Sequence, residues 1–122
     1  MMGATQVEPG LVSRLERLTG EEAACCVPEY RGLWHEVRGS VGFRSSLARA
    51  RALADESRLT AVAMLRRRPE LCACEIQAAL GVTHATVSHH MAVLESAGLV
   101  RSSRRGKWTY YRLSGSTGVE VP

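Results

Sequence analysis

The chain has 122 residues, enough for one small domain with a single hydrophobic core. Hydrophobic residues make up 45% of it, yet no apolar run has the length needed to span a bilayer. The N-terminus lacks the basic and then apolar stretches of a secretory signal. We therefore expect a cytoplasmic protein without a membrane partner.

The net charge of +4 is concentrated near the C-terminus. From Thr83 to Arg112 there are five basic residues and one acid, Glu95, so this segment alone has the charge of the whole chain. Positive charge gathered in one segment favours a polyanionic partner, although a solvated basic loop would give the same pattern.

The four cysteines form two close groups, Cys25-Cys26 and Cys72/Cys74. Structural disulfides are rare in a reducing cytoplasm, so closely spaced thiols favour metal binding or redox chemistry. A disulfide between the adjacent Cys25 and Cys26 would strain the backbone. For both groups the alternative is burial as small hydrophobic side chains.

The first 42 residues predict an arm of short helices. Residues 1–10 are expected to be a loose tail, and leucines at helical spacing indicate a helix over 11–18. The acidic pair Glu21-Glu22 suits the start of a second helix, which Pro28 is expected to end or bend. Apolar residues between 30 and 37 again recur at helical spacing.

Two helices are predicted next. The first covers residues 43–54, where apolar side chains form a helical stripe. Asp55 is expected to cap the second, which ends in three arginines followed by Pro69.

A helix-turn-helix pattern follows. The first helix is predicted over residues 71–80 and ends at Gly81, a suitable C-terminal cap. Thr83 is expected to cap the second helix, over residues 84–97. Apolar residues 87, 91 and 94 would face the core.

The C-terminal part predicts a hairpin. Residues 99–102 and 108–113 are strand-like runs joined by a polar turn at 103–106. The whole pattern indicates a mainly α chain with a small β-hairpin wing, a winged helix-turn-helix. We expect an N-terminal arm with the cysteine pair (1–42), a DNA-binding domain (43–113) and a flexible tail (114–122).

The second helix of such a pair enters the DNA major groove, with its N-terminal residues nearest the base edges. Hydroxyl and imidazole groups can bond base edges or phosphate, and basic hairpin residues can contact phosphate or a neighbouring minor groove. A plain helical hairpin is the alternative, which the basic wing disfavours. The predicted DNA-binding residues are Thr83, His84, Thr86, Ser88, His89, His90, Arg101, Arg104, Arg105 and Lys107.

Four segments carry a family likeness: Ala52-Leu-Ala-Asp-Glu-Ser-Arg-Leu59, Glu70-Leu-Cys-Ala-Cys-Glu-Ile76, Val87-Ser-His-His90 and Arg105-Gly-Lys-Trp-Thr-Tyr-Tyr-Arg-Leu113. In this order they resemble the ArsR/SmtB family of bacterial metal-responsive repressors over roughly residues 43–113. The resemblance implies a homodimeric winged-helix repressor. Such a repressor binds a palindromic double-stranded operator and releases it when a metal ion or metalloid binds.

The cysteines carry the resemblance further. Cys72-Ala-Cys74 is similar to the thiol motif of arsenic and cadmium/lead sensors, but Gln77 replaces the third cysteine of the enteric-type arsenic sensor. Cys25-Cys26 resemble the N-terminal pair of actinobacterial-type arsenic sensors. Cadmium/lead sensors instead bring N-terminal cysteines to the Cys-x-Cys of the other subunit. The resemblance implies a metal site drawn from Cys25, Cys26, Cys72 and Cys74. Because the chain stops soon after Leu113, we expect the family's C-terminal helix and its zinc site to be absent.

As(III) needs three thiolates, whereas tetrahedral Cd(II), Pb(II) or Zn(II) would use all four. The adjacent pair and the Gly106-Lys107-Trp108 wing favour As(III), with Sb(III) equivalent, as inducer, and no organic cofactor is expected. A redox or persulfide switch between the two cysteine groups remains an alternative. No nucleophile–base pair, phosphate loop or paired carboxylates indicate an enzyme.

Overall fold

The computed structural model describes residues 10–19 and 23–122, with the side chains of 10–18 and 27–122. Within these ranges no helix is both long enough and apolar enough to cross a membrane. The chain forms two compact units that divide between Phe43 and Arg44. Residues 1–9 of the loose tail predicted over 1–10, and the acidic helix start at Glu21-Glu22, lie outside the described residues.

The N-terminal unit contains two helices that pack against each other, α1 (Leu11–Thr19) and α2 (Ala23–Arg38). Of the two outcomes predicted for Pro28, the end of the second helix is wrong, because Pro28 lies inside α2 and helix continues to Arg38, while a bend stays a prediction. Pro28 is the sixth residue of α2, so its missing N–H costs the helix one backbone hydrogen bond. Near the end of α2, the Arg38 guanidinium carbon lies 4.8 Å from the ring centroid of Trp34.

The second unit is a winged helix-turn-helix, as predicted. Its helices are α3 (Phe43–Leu53, whose first residue belongs to the other unit), α4 (Glu56–Arg67), α5 (Ala73–Leu80) and α6 (His84–Ser96). Its strands are β1 (Leu71–Cys72), β2 (Val100–Arg105) and β3 (Trp108–Leu113). The strands form an antiparallel sheet in the order β1-β3-β2.

Short-range signals set the helix ends. Asp55 caps α4, because its carboxylate accepts the Arg58 backbone N–H at 3.0 Å. The Thr83 hydroxyl accepts the Thr86 N–H at 3.2 Å at the start of α6. Gly81 ends α5 with φ of 69°, in the left-handed region that glycine adopts without strain. These three predicted caps are confirmed.

The core of the second unit lies where α4, α5 and α6 meet the sheet. Val62, Ile76, Val87, Met91 and Leu94 have no exposed side-chain surface. Complete burial of one such side chain contributes roughly 1.5–3 kcal/mol. This core fixes the orientation of α6 relative to α5 and therefore which face of α6 remains exposed.

The helix predicted over 71–80 starts two residues later than predicted, at Ala73. Leu71 and Cys72 form β1 and pair with Tyr111 and Tyr110 of β3, so helix starts only at Ala73. A two-residue strand is too short to leave a periodicity signal, whereas pairing with β3 supplies backbone hydrogen bonds that helix would otherwise provide.

The wing is longer and its turn tighter than predicted. Strand β2 runs to Arg105, which pairs with Trp108 across a two-residue turn at Gly106 and Lys107. Gly106 has φ of 62°, which suits the first position of a two-residue hairpin turn. The predicted turn at 103–106 is therefore wrong. The polar residues that suggested a turn belong to a paired strand, where their side chains are exposed.

The C-terminal tail contacts the rest of the second unit. The Ser114 N–H donates to the Leu99 carbonyl at 2.9 Å, and the Arg66 guanidinium donates to the Val121 carbonyl. Val121 is only 3% exposed and belongs to the hydrophobic core. The flexibility predicted from the glycine and serine content of the tail stays a prediction beside these contacts.

Candidate thiol site and nucleic-acid interface

The two thiols of the Cys-x-Cys motif lie together at the start of the helix-turn-helix. The Sγ atoms of Cys72 and Cys74 are 3.1 Å apart. Cys72 is buried at the end of β1, whereas Cys74 is exposed in the first turn of α5. The change from strand to helix between them brings both side chains to the same side.

Hydrogen bonds hold this corner in place. The Glu75 carboxylate accepts the Cys72 backbone N–H at 2.7 Å, which satisfies a donor at the start of α5. The pKa of the Cys74 thiol is raised, mainly because it shares a hydrogen bond with the Cys72 thiol. A soft metal ion binds thiolates, so binding here must release protons.

The thiol pair fits a soft ion in donor type and spacing. Tetrahedral zinc with bonds of about 2.3 Å would place two thiolates roughly 3.8 Å apart. The pair would have to open only slightly, which side-chain rotation can provide. Among the side chains that the structure describes, no three His, Cys, Asp or Glu come together as a metal site. Cys25 and Cys26 lie in α2, but their side chains are outside the described set, so the four-cysteine site stays a prediction.

Most of the predicted recognition residues lie on the exposed side of α6. Thr83, His84, Ser88 and His89 are exposed. Thr86 is partly buried, and its hydroxyl lies 2.9 Å from that of Thr83. The first turn of α6 thus presents a continuous surface of hydroxyl and imidazole groups.

His90 lies differently from the prediction. Its side chain is 13% exposed and faces inward, with Nδ1 3.1 Å from Nη1 of Arg58. The same arginine donates from Nε to the Ala52 carbonyl at 2.7 Å. His90 comes three residues after the buried Val87, so helical spacing could have placed it on the inner face. Arg58, which the sequence reasoning missed, thereby links the end of α3 to α6.

The basic residues of the wing are exposed, but their side chains differ in the contacts that they make within the protein. The Arg101 Nε atom donates to the Ser114 hydroxyl at 3.2 Å, and the Lys107 ammonium lies 5.4 Å from the ring centroid of Trp108. Arg104 is exposed on the same strand. Arg105 makes an ion pair with the carboxylate of Glu70, which no local pattern predicts.

The thiol pair and the wing share one sheet. Strand β1 ends at Cys72, which pairs with Tyr110 of β3, and β3 forms the wing with β2. Cys72 is also the N-cap of α5. One residue therefore adjoins both the wing sheet and the first helix of the helix-turn-helix, and that helix packs against the recognition helix α6.

Comparisons with known proteins agree with this geometry. Residues 55–102 match the model of the family "Bacterial regulatory protein, arsR family". The chain is 44% identical over 62 residues to the arsenical resistance operon repressor of Escherichia coli, covering 51% of this chain and 53% of that protein. It is 42% identical over 59 residues to the cadmium resistance transcriptional regulatory protein CadC of Listeria innocua, covering 48% and 50%. These alignments span about half the length of the curated relatives.

A solved structure extends the likeness to a larger share of the chain. The homodimeric winged helix-turn-helix DNA-binding domain Mb0332 from Mycobacterium bovis, a possible ArsR-family transcriptional regulator, superposes with a TM-score of 0.59. It is 31% identical, with 64% of this chain and 71% of that chain covered. The chain therefore belongs to the arsR family of bacterial regulatory proteins.

Proposed function

We propose that the chain is a homodimeric transcriptional repressor that binds operator DNA in the cytoplasm and releases it when a thiophilic metal ion or metalloid binds. The observation that carries this proposal is the thiol pair, 3.1 Å apart, at the junction of the wing sheet and the first helix of the helix-turn-helix. Relatives named for arsenical and cadmium resistance support it.

The DNA-binding surface combines the first turn of α6 with the wing. Exposed hydroxyl and imidazole groups suit base edges and phosphates in the major groove, and guanidinium groups suit phosphates or a minor groove. His90 supports the helix from its inner side through Arg58. The proposed contacts are Thr83, His84, Thr86, Ser88, His89, Arg101, Arg104, Arg105 and Lys107.

We infer that As(III), or equally Sb(III), is the inducer and that Cys72 and Cys74 supply two of its three thiolates. Cys25 and Cys26 are the proposed source of the third. Arsenite is preferred to Cd(II), Pb(II) or Zn(II) because the chain combines the adjacent Cys25-Cys26 pair with the Gly106-Lys107-Trp108 wing, on which its resemblance to arsenic sensors rests. The relatives include an arsenical repressor and, at nearly equal identity, a cadmium regulator.

The chain's own residues explain how thiol ligation reaches the DNA surface. A bound soft ion would cross-link thiolates that the free protein holds as separate thiols. Side-chain rotation can adjust the two sulfurs, but a third thiolate that pulls on the Cys72 backbone would disturb its pairing with Tyr110 and the hydrogen bond from its N–H to Glu75. A shift of the wing or of α5 would change the dimer geometry that matches two operator half-sites.

A panel titration tests this proposal. A duplex that the purified protein selects from a random-sequence pool is titrated in a gel-shift assay with arsenite, antimonite, cadmium, lead and zinc. Release by arsenite and antimonite at the lowest concentrations supports the inducer proposed here. Release by cadmium alone would reverse the choice of inducer, and failure to bind any duplex would refute the repressor function.

A thiol switch on the same scaffold is the second candidate, because the short distance between the Cys72 and Cys74 sulfurs also suits oxidative chemistry. Mass spectrometry of the protein released from DNA separates the two candidates. A bound arsenic atom on reduced protein supports the metalloid sensor. A loss of two hydrogen atoms or a gain of sulfur, without metal, supports the redox or persulfide switch.

A further inference from the structure

We propose that Glu70 restrains the wing: its carboxylate competes with DNA phosphate for Arg105, so wild-type DNA affinity is held below what the wing could provide. The inference rests on the proposed DNA-binding function and adds a residue that sets its strength. Glu70 lies just before β1, outside the helix-turn-helix and the wing, and makes no part of the predicted DNA surface.

The contact is a direct ion pair across the sheet. The Arg105 guanidinium reaches the Glu70 carboxylate, and its central carbon lies 4.4 Å from the ring centroid of Tyr110. Arg105 is thus held along β3 and toward β1, at the base of the two-residue turn. Arg104, the preceding residue on the strand, has an exposed side chain.

The pair is placed where it can be exchanged for DNA. The Arg105 side chain is 56% exposed and that of Glu70 is 31% exposed. Water screens such a pair, so it contributes little to stability and can open at small cost. A phosphate group, like a carboxylate, offers a guanidinium two acceptor oxygens. Binding DNA through Arg105 therefore costs the protein this ion pair.

The position of Glu70 also joins the restraint to the thiol site. Glu70 is two residues before Cys72, and Tyr110, on which Arg105 stacks, is the β3 partner of Cys72. The aromatic ring and the buried thiol thus lie on one pair of strands, which Glu70 immediately precedes. Arg105 is held by the part of the sheet that thiol ligation would disturb.

The test is the substitution Glu70→Gln, which keeps the side-chain size and removes the charge. Anisotropy of a labelled duplex, selected from a random pool by the wild-type protein, measures DNA affinity over a range of salt concentrations. We expect affinity to rise roughly twofold to fivefold. The slope of log affinity against log salt should steepen, by at most about 0.9, the value for one phosphate contact, because Arg105 then meets phosphate in a larger share of the complexes.

Two comparisons make the result specific. Glu56→Gln removes an equal charge from the exposed first turn of α4 and should not reproduce the gain. Glu70→Gln made in an Arg105→Ala background should give no gain, because the competing guanidinium is missing.

Each result has a definite reading. An unchanged or lower affinity for Glu70→Gln overturns the restraint, and so does an equal gain from Glu56→Gln or a gain that persists without Arg105. If the wild-type protein selects no duplex, the proposed function and the restraint both fall. If it selects one but Glu70→Gln has no effect, only the restraint falls.

Discussion

His90 shows how one side chain on the recognition helix can serve the fold instead of the DNA. Its Nδ1 lies 3.1 Å from Nη1 of Arg58, which also donates to the carbonyl at the end of α3. A neutral imidazole that accepts this hydrogen bond leaves the partly buried guanidinium satisfied. The orientation of α6 therefore depends in part on a residue two turns beyond its N-cap.

Replacing His90 should reveal this role as a loss of stability. His90→Leu leaves Nη1 of Arg58 without its acceptor, and we expect the free energy of unfolding to fall by about 1–3 kcal/mol in a urea titration. His90→Gln, which retains an acceptor oxygen, should recover much of the loss. The exposed neighbour provides the control, since His89→Leu should leave stability nearly unchanged. Equal stabilities for the two leucine variants would show that the Arg58 contact contributes nothing.

Asp55 gives the second prediction at this scale, through its cap on α4. The backbone N–H of Arg58 lowers the pKa of the Asp55 carboxyl below its ordinary 3.8. A lowered pKa means that the ionised form stabilises the fold. This contribution is complete well above pH 3.8 and is lost as the pH falls through the folded-state pKa.

Asp55→Ala should therefore lower the free energy of unfolding by about 1 kcal/mol at pH 7, and by less at pH 3. Asp55→Asn keeps a capping oxygen and should retain most of the stability without this pH dependence. Urea titrations of the three proteins at both pH values make the comparison. An alanine penalty that is as large at pH 3 as at pH 7 would contradict the cap.

At the scale of elements, the sequence predicts those helix ends that depend on residues close by in the chain. The caps at Asp55, Gly81 and Thr83 depend on neighbouring backbone groups, so residue type and spacing were sufficient. Strand β1 has two residues and exists because β3, about forty positions later, pairs with it. No local pattern contains that partner, so the predicted helix began too early, at residue 71.

The C-terminal tail is an element whose role a single substitution can measure. Val121 is 3% exposed in the core, whereas Val119 is 49% exposed. Val121→Ala removes two buried methyl groups, and we expect it to lower the free energy of unfolding by about 1–3 kcal/mol. Val119→Ala makes the same change on the surface. If both variants unfold at the same urea concentration, the tail does not dock in solution.

At the scale of the whole molecule, the family and the winged helix-turn-helix follow from motifs that the sequence displays openly. The connection between the thiol site and the wing does not follow from such motifs, because it depends on the pairing of β1 with β3 and on the ion pair of Glu70 with Arg105. Cys25 and Cys26 remain the predicted source of further thiolates. Their thiol chemistry and the resemblance to sensors with an N-terminal cysteine pair suggested this role, but only three-dimensional contact could establish it.

The central proposal is that thiol ligation at the Cys-x-Cys corner releases DNA, and Cys74→Ser tests it most directly. Cys74 is exposed, so the substitution should preserve the fold. In an anisotropy titration of the DNA complex with arsenite, we predict that wild-type protein dissociates while Cys74→Ser binds DNA normally and stays bound. Dissociation of Cys74→Ser at the wild-type arsenite concentration would contradict the proposal.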